Sequence, residues 1–392
     1  MRTLLVLLLL LPFAAAAAVQ TGLDVLEARG FDILAGKRVA LVVNHTARDA
    51  AGKHIIDLLL DGKKATVVRI FTPEHGLTGL ADEAVADGAY RDIPVTSLYG
   101  KEKKPRPELL ADCDLILFDM QDVGARYYTY PATLAYTLES AKTAGKKVIV
   151  LDRPNPTGGD IVSGFAPPIE LTGKFTSLYP LPTRHGMTIG ELARLFNDHF
   201  GLGATLEVVA MTGWTRAMLW NDTGLPWVPP SPNLRNPDAA FIYAGMGWIE
   251  TTNISVGRGT EAPFFIYGAP FIDGTKLAAA LKKQLPAGVT AAPTKFTPTD
   301  KLHRHFGKEC GGVRLTVGDL KKIDTFRLGL IVLKTLFAIA PEFDPTTDFA
   351  LSMGKAGIDQ RLKKGASVKT ILAEANADCE KFKEIRKKYL LY

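Results

Sequence analysis

The sequence predicts an α/β fold with a Rossmann-like, doubly wound parallel sheet at its head. Three observations carry this. Four short, nearly continuous apolar runs alternate with helical periodicity between residues 37 and 160. Each run stops at a polar cluster, as buried strands do where their carboxyl ends open to a site. The runs are apolar throughout rather than alternating, the mark of strands covered on both faces. The first, Lys37 to Val43, ends at Asn44-His45-Thr46, and His54 to Leu60 then reads as a helix. The second, Ala65 to Phe71, ends at Thr72-Pro73-Glu74-His75-Gly76. The third, Asp114 to Phe118, ends at Asp119-Met120-Gln121-Asp122, with a helix from Thr133 to Ala144. The fourth, Lys147 to Leu151, ends at Asp152-Arg153-Pro154-Asn155-Pro156.

A Pro/Gly-rich stretch from Pro154 to Pro168 reads as a domain boundary or a long loop, and the boundary is taken at 160. Residues 19–160 form the Rossmann-like domain on this reading, and 161–392 a second α/β subdomain with a closing helix. Thr188 followed by Glu191 has capping-box spacing, with Leu192, Leu195 and Phe196 on one face. Leu206 to Met211 reads as a strand, and residues 311–317 and 325–340 as strand and helix. The closing helix covers 367–390. Trp220 to Pro237 is dense in Pro, Asn and Trp, a rigid loop suited to lining a groove.

The 392 residues are 47% hydrophobic and 22% charged, ordinary for a globular chain long enough for two domains. The net charge of +6 is densest near the C-terminus, at Lys363-Lys364 and Arg386-Lys387-Lys388. These lie in amphipathic patterns and read as solvated helix faces. Aromatics are not interleaved with them, which argues against a nucleic-acid partner. Residues 1–18 read as a signal peptide. Arg2 is the positive end, Leu4 to Phe13 the apolar core and Ala14 to Ala18 the cleavage zone. An exported protein, periplasmic or extracellular, is expected. No membrane span is expected after the leader is removed; the oligomeric state is left open. Cys113, Cys310 and Cys379 are an odd set, so no full disulfide framework can form, although export permits Cys310 and Cys379 to pair. No Cys/His cluster has metal spacing, and neither metal nor cofactor is expected.

Three constellations could carry chemistry. At Glu74-His75, a carboxyl at a strand end can serve as a general acid, or it can simply cap the following turn. Between Gln121 and Tyr130 stand Asp122, Arg126, Tyr127, Tyr128 and Tyr130. Tyrosine faces stack on sugars and arginine grips carboxylates, but a Tyr-rich helix start with an Asp122–Arg126 pair accounts for the pattern equally well. From Glu250 to Glu261 runs a glycine turn carrying Asn253 and Arg258, with the two acids as candidate second carboxylates. The first strand is followed by Asn44-His45-Thr46-Ala47-Arg48-Asp49 in place of Gly-x-Gly-x-x-Gly, which disfavours a dinucleotide. No Gly-x-Ser-x-Gly elbow is present, so a serine hydrolase is a weak third reading.

Several long motifs together resemble a bacterial family once catalogued as a domain of unknown function. They are Arg38 to Thr46, Pro73-Glu74-His75-Gly76, Asp119 to Tyr130, Leu151 to Pro156, Pro180 to Thr188, Leu225 to Asn233, Thr252 to Thr260 and Tyr389 to Tyr392. That family is associated with exo-β-N-acetylmuramidases, glycoside hydrolases that release N-acetylmuramic acid from the non-reducing end of peptidoglycan fragments. The resemblance implies an active site in the cleft between a Rossmann-like domain and a second subdomain, with Glu74 as the catalytic glutamate. One departure follows that motif: an Ala-Asp-Ala-Gly-Glu-like run is expected, and the chain has Ala81-Asp82-Glu83-Ala84-Val85. Under this reading Glu74, His75 and Asp122 are catalytic candidates. Arg126 or Arg258 would hold the lactyl carboxylate, and Tyr127, Tyr128 and Tyr130 would form the sugar platform. Asn233 and Asn253 would bind N-acetyl and hydroxyl groups, with Asn44, His45, Glu250 and Glu261 also substrate-facing. The partner of Glu74 stays open among Asp122, Glu250, Glu261 and the substrate's own N-acetyl group. The competing reading is a non-catalytic, exported muropeptide- or sugar-binding protein on the same fold.

Overall fold

The computed structural model describes residues 18–79 and 86–392. The expected leader, apart from its last residue, and the departing run at 81–85 lie outside the described residues.

The larger sheet has seven strands: β1 (Arg38–Val43), β2 (Thr66–Thr72), β3 (Gly88–Tyr90), β4 (Ile93–Ser97), β5 (Leu115–Asp119), β6 (Lys147–Leu151) and β7 (Thr205–Val209). Their order is β3-β4-β2-β1-β5-β6-β7, parallel except for the short edge strand β3. The two faces separate by residue parity. Val39, Leu41, Val43, Leu115, Leu117, Ile149 and Leu151 pack with α1 (Gly22–Ala28) and α2 (Ile55–Asp61) on one side. Ala40, Val42, Ile116, Phe118, Val148 and Val150 face α3 (Thr129–Ala144) and α4 (Ile189–Asp198) on the other. Both faces are covered, so no strand alternates.

The first sheet runs past the boundary expected at 160. β7 pairs with β6 from Lys147–Thr205 to Leu151–Val209, and α4 packs on the same layer. The Pro/Gly-rich stretch is therefore a long loop within this layer. The capping box predicted at Thr188 is present: its hydroxyl accepts from the Glu191 amide at 3.2 Å, and its own amide donates to Glu191 Oε2 at 3.0 Å.

The second part carries an antiparallel sheet, β8 (Ile266–Ala269), β9 (Val289–Phe296) and β10 (Cys310–Val317), in the order β8-β10-β9. Its helices are α5 (Pro237–Met246), α6 (Gly274–Lys282), α7 (Thr325–Ile339), α8 (Phe349–Met353), α9 (Ile358–Lys363) and α10 (Val368–Arg386). On α10, Ile371, Ala375, Cys379, Phe382 and Arg386 turn inward at helical spacing. One open possibility is answered here and one expectation is corrected. Cys310 and Cys379 are both free and buried; Cys310 packs in a small cluster with Ala262, Ile266 and Phe296, while the Cys379 thiol donates to the Gly164 carbonyl at 3.2 Å. Arg386 is buried rather than solvated and donates to the Gly159 and His185 carbonyls at 2.9 and 3.2 Å.

Candidate active site

β2 stops because Pro73 removes a donor and the chain then turns sharply: His75 has φ 70° and Gly76 φ 66°. This bend sets Glu74 at the carboxyl edge of the sheet, in the wall of a cavity of about 370 Å³. Tyr127, Tyr128, Thr129, Tyr243, Glu250 and Arg258 share that lining, as do Ser231, His303 and Ser352. The cavity therefore draws on both parts of the chain, with the first sheet supplying Glu74 and the second part supplying Glu250 and Arg258.

The Thr129 hydroxyl donates to Glu74 Oε2 at 2.8 Å, fixing the carboxyl from the first turn of α3. Glu250 sits on the turn after α5 and is gripped by Arg258 through both oxygens: Nε meets Oε1, and Nη2 meets Oε2 at 3.0 Å. The Arg258 guanidinium also lies 5.1 Å from the Phe264 ring centroid, so the fork is held from behind. Tyr243 lines the same cavity with most of its surface buried, and its phenol is raised well above its ordinary range by burial first and then by the Glu250 charge; Glu74 adds to the rise. One cavity thus holds two carboxyl groups in different settings, one supported by a hydroxyl and the other by an arginine.

Residues 39–238 match the family model described as the N-terminal part of exo-β-N-acetylmuramidase NamZ, and residues 241–392 match its C-terminal part. The chain belongs to the NamZ family. It is 43% identical over 382 residues to the peptidoglycan β-N-acetylmuramidase NamZ of Bacillus subtilis, covering 95% of this chain and 91% of that one. Two solved structures of DUF1343 family proteins from Bacteroides fragilis share the fold. One has a TM-score of 0.87 at 32% identity and the other 0.80 at 30%, each covering 96% of this chain and 99% of its own.

Within this NamZ-family chain, several residues expected to face substrate have their polar atoms engaged elsewhere. Arg126 is buried and donates to Ser177 Oγ at 3.0 Å and to the Leu351 and Ser352 carbonyls at 3.2 and 2.6 Å, so it clamps α8 rather than a lactyl group. Burial pulls its pKa down to about 10. Tyr130 is fully buried; its phenol donates to the Pro230 carbonyl at 2.8 Å and accepts from Asn44 at 2.7 Å. Asn44 accepts the Thr46 amide and hydroxyl with its side-chain oxygen. Tyr128 donates to the same Pro230 carbonyl at 3.0 Å, and His45 Nε2 meets the Pro229 carbonyl at 2.7 Å. Burial lowers the His45 pKa, and Nε2 donates because its partner is a carbonyl oxygen. Tyr128, Tyr130 and His45 staple the Pro-rich loop that brings Ser231 and Leu234 to the cavity, and Asn44 braces Tyr130.

Asp122 is buried, accepts the Gly124 amide at 2.8 Å and faces His185 at 3.5 Å; it does not line the cavity. Glu261 is exposed and pairs with Arg314 at 3.0 Å. Asn253 is tied to the Glu342 carbonyl at 2.6 Å and the Asp344 amide at 3.0 Å. Asn233 is buried and also lies outside the lining, while His75 lines the cavity beside Glu74. Tyr127 keeps a ring edge in the cavity, but its phenol donates to the Tyr243 and Ala244 carbonyls at 2.6 and 3.1 Å and accepts from the Gly247 amide at 3.0 Å. Gly247 permits this approach, since a Cβ there would meet Tyr127 and Tyr243 ring carbons at 2.7–2.8 Å.

Sequence reasoning passed over Thr129, Tyr243, Ser231 and His303. Thr129 lay inside a motif already singled out, between the tyrosines that drew attention. His303 stands in a loop with no periodicity, and the sequence holds no signal for it.

Proposed function

We propose that the protein is an exo-acting β-N-acetylmuramidase that removes terminal, non-reducing N-acetylmuramic acid from peptidoglycan fragments during cell-wall turnover. The observation that carries this is one cavity, at the carboxyl edge of the sheet of a NamZ-family chain, holding both Glu74 and Glu250. Glycoside hydrolysis commonly uses an acid for the leaving oxygen and a second carboxylate that serves as nucleophile or water-activating base. Glu74 takes the first role. Its Oε2 is occupied by Thr129, and its Oε1 has no hydrogen-bond partner among the described residues, so that oxygen can carry the proton to the glycosidic bond. Glu250 takes the second role. The Arg258 fork fixes the orientation of its oxygens, so its negative charge faces the cationic sugar ring of the transition state without reorganisation. Asp122 and Glu261 are not Glu74's partner on this reading, one being buried behind the lining and the other on the outer surface. Of the two arginines considered for a lactyl carboxylate, Arg258 is the one that lines the cavity, while Arg126 is spent on backbone carbonyls.

The N-terminal pattern of Arg2, the apolar run to Phe13 and the alanines supports export, which would deliver the enzyme to peptidoglycan. Among the described residues no helix is long and apolar enough to cross a membrane.

The test is release of N-acetylmuramic acid from the disaccharide N-acetylmuramyl-β-1,4-N-acetylglucosamine, set beside a chromogenic β-N-acetylglucosaminide. Muramic acid release with no glucosaminide turnover is expected. Binding of the disaccharide without turnover would return the protein to the binding-protein reading.

A further inference from the structure

Tyr99, Phe175 and Lys103 form a cluster that hydrolysis at Glu74 and Glu250 does not use. Tyr99 follows β4, and Phe175 lies on the long loop after β6; both line the same cavity as the two glutamates. Their ring centroids are 6.3 Å apart. Phe175 also stacks against Tyr136 of α3, at 6.0 Å and 14°, so the loop holds its ring against a helix. Both residues are only half-buried, unlike the buried Tyr127, Tyr128 and Tyr243 of the cavity floor. Lys103 Nζ lies 5.1 Å from the Phe175 centroid. Its neighbour Lys104 is neutralised by Glu139 at 3.0 Å, whereas Lys103 is exposed and makes no ion pair among the described residues.

Resting on the muramidase reading, we propose that Tyr99, Phe175 and Lys103 form leaving-side subsites that bind the glycan beyond the scissile bond. An exo-enzyme encloses one sugar and leaves the rest of the chain on the far side of its acid. In peptidoglycan the next sugar is N-acetylglucosamine, uncharged and with an apolar ring face. The one after is muramic acid, with a lactyl carboxylate when no peptide is attached. An aromatic wall suits the first and an ammonium group the second, in that order outward from Glu74. The wall would favour N-acetylglucosamine as leaving group, and the lysine would favour a chain of at least three sugars.

The experiment compares wild type, Phe175→Ala and Lys103→Gln on two substrates with free lactyl carboxylates: the disaccharide above, and the tetrasaccharide that repeats it. Phe175→Ala is expected to raise KM for both about tenfold, with kcat within about twofold, as loss of one stacking surface requires. Lys103→Gln is expected to raise KM about fivefold for the tetrasaccharide alone, and Lys103→Arg to restore it. Raising salt to about 0.5 M should lift the wild-type tetrasaccharide KM and leave that of Lys103→Gln unmoved. Equal effects of Lys103→Gln on both substrates, or an unchanged KM in Phe175→Ala, overturn the subsites while the muramidase reading stands. A wild type that cleaves neither substrate overturns both.

Discussion

Glu74 owes its position to two residues in the left-handed region, His75 and Gly76, and its orientation to one hydroxyl on α3. Glu74→Gln keeps shape and hydrogen-bonding reach but cannot deliver a proton. The expected outcome is a kcat at least about 10²–10⁴ times lower, with disaccharide affinity by calorimetry nearly unchanged. Glu250→Gln should also lower kcat, and because it frees the Arg258 fork its KM should shift as well, separating the two roles. Arg126 is a counter-case of the same residue type. Arg126→Met leaves the Leu351 and Ser352 carbonyls without a donor and should cost about 2–4 kcal/mol of unfolding free energy in urea titration. The sequence could not separate the two arginines. Arg126 stands in a tyrosine-rich motif that looks like a sugar site, and only the fold reveals that its carbonyl acceptors come from residues more than two hundred positions away.

At the scale of elements, the four polar strand ends divide into two kinds. The end of β2 opens on the cavity. The ends of β5 and β6 are joined by a buried ion pair, Asp119 with Arg153, and by Asp152, which organises the start of α4. Asp152 accepts from the Thr188 and Tyr392 hydroxyls at 2.7 Å each, and from the Gly190 and Arg153 amides at 2.7 and 2.9 Å. Burial nonetheless pushes its carboxyl up to about 7 from an ordinary 3.8. Between those values the folded chain holds a proton that the unfolded chain releases. This group's contribution is full below the lower value and is lost as pH rises through about 7, at up to about 1.4 kcal/mol per pH unit. Urea unfolding between about pH 4.5 and 7.5 should therefore show a falling component in wild type that Asp152→Asn lacks. The parallel layer was legible because a strand covered on both faces must be apolar throughout. Its full extent was not, since β7 follows a long Pro/Gly-rich loop that imitates a domain boundary. The role of each polar end was hidden too, because catalysis and architecture draw on the same carboxylates.

For the whole molecule, one apolar cluster runs from Phe118 and Leu138 of the first layer through Trp248 and Phe326 to Tyr389. A core shared in this way predicts a single cooperative transition in calorimetry, with matching calorimetric and van't Hoff enthalpies. It also predicts that residues 39–238 expressed alone aggregate, since the face covered by α5 and α7 becomes bare. Directly behind the cavity, the Tyr127 phenol is held by three backbone groups from α5 and the turn after it, while Arg126 grips the end of α8. These bonds cross from one half of the chain to the other, so the walls of the cavity are bolted together rather than hinged. Walls joined in this way leave the described halves little freedom to close over a sugar or open to expel it. Selectivity then has to come from the shape already present, and a released sugar has to leave through the opening by which it entered. Small-angle scattering with and without saturating N-acetylmuramic acid should give the same radius of gyration, and product inhibition should be competitive and grow stronger as the opening is narrowed.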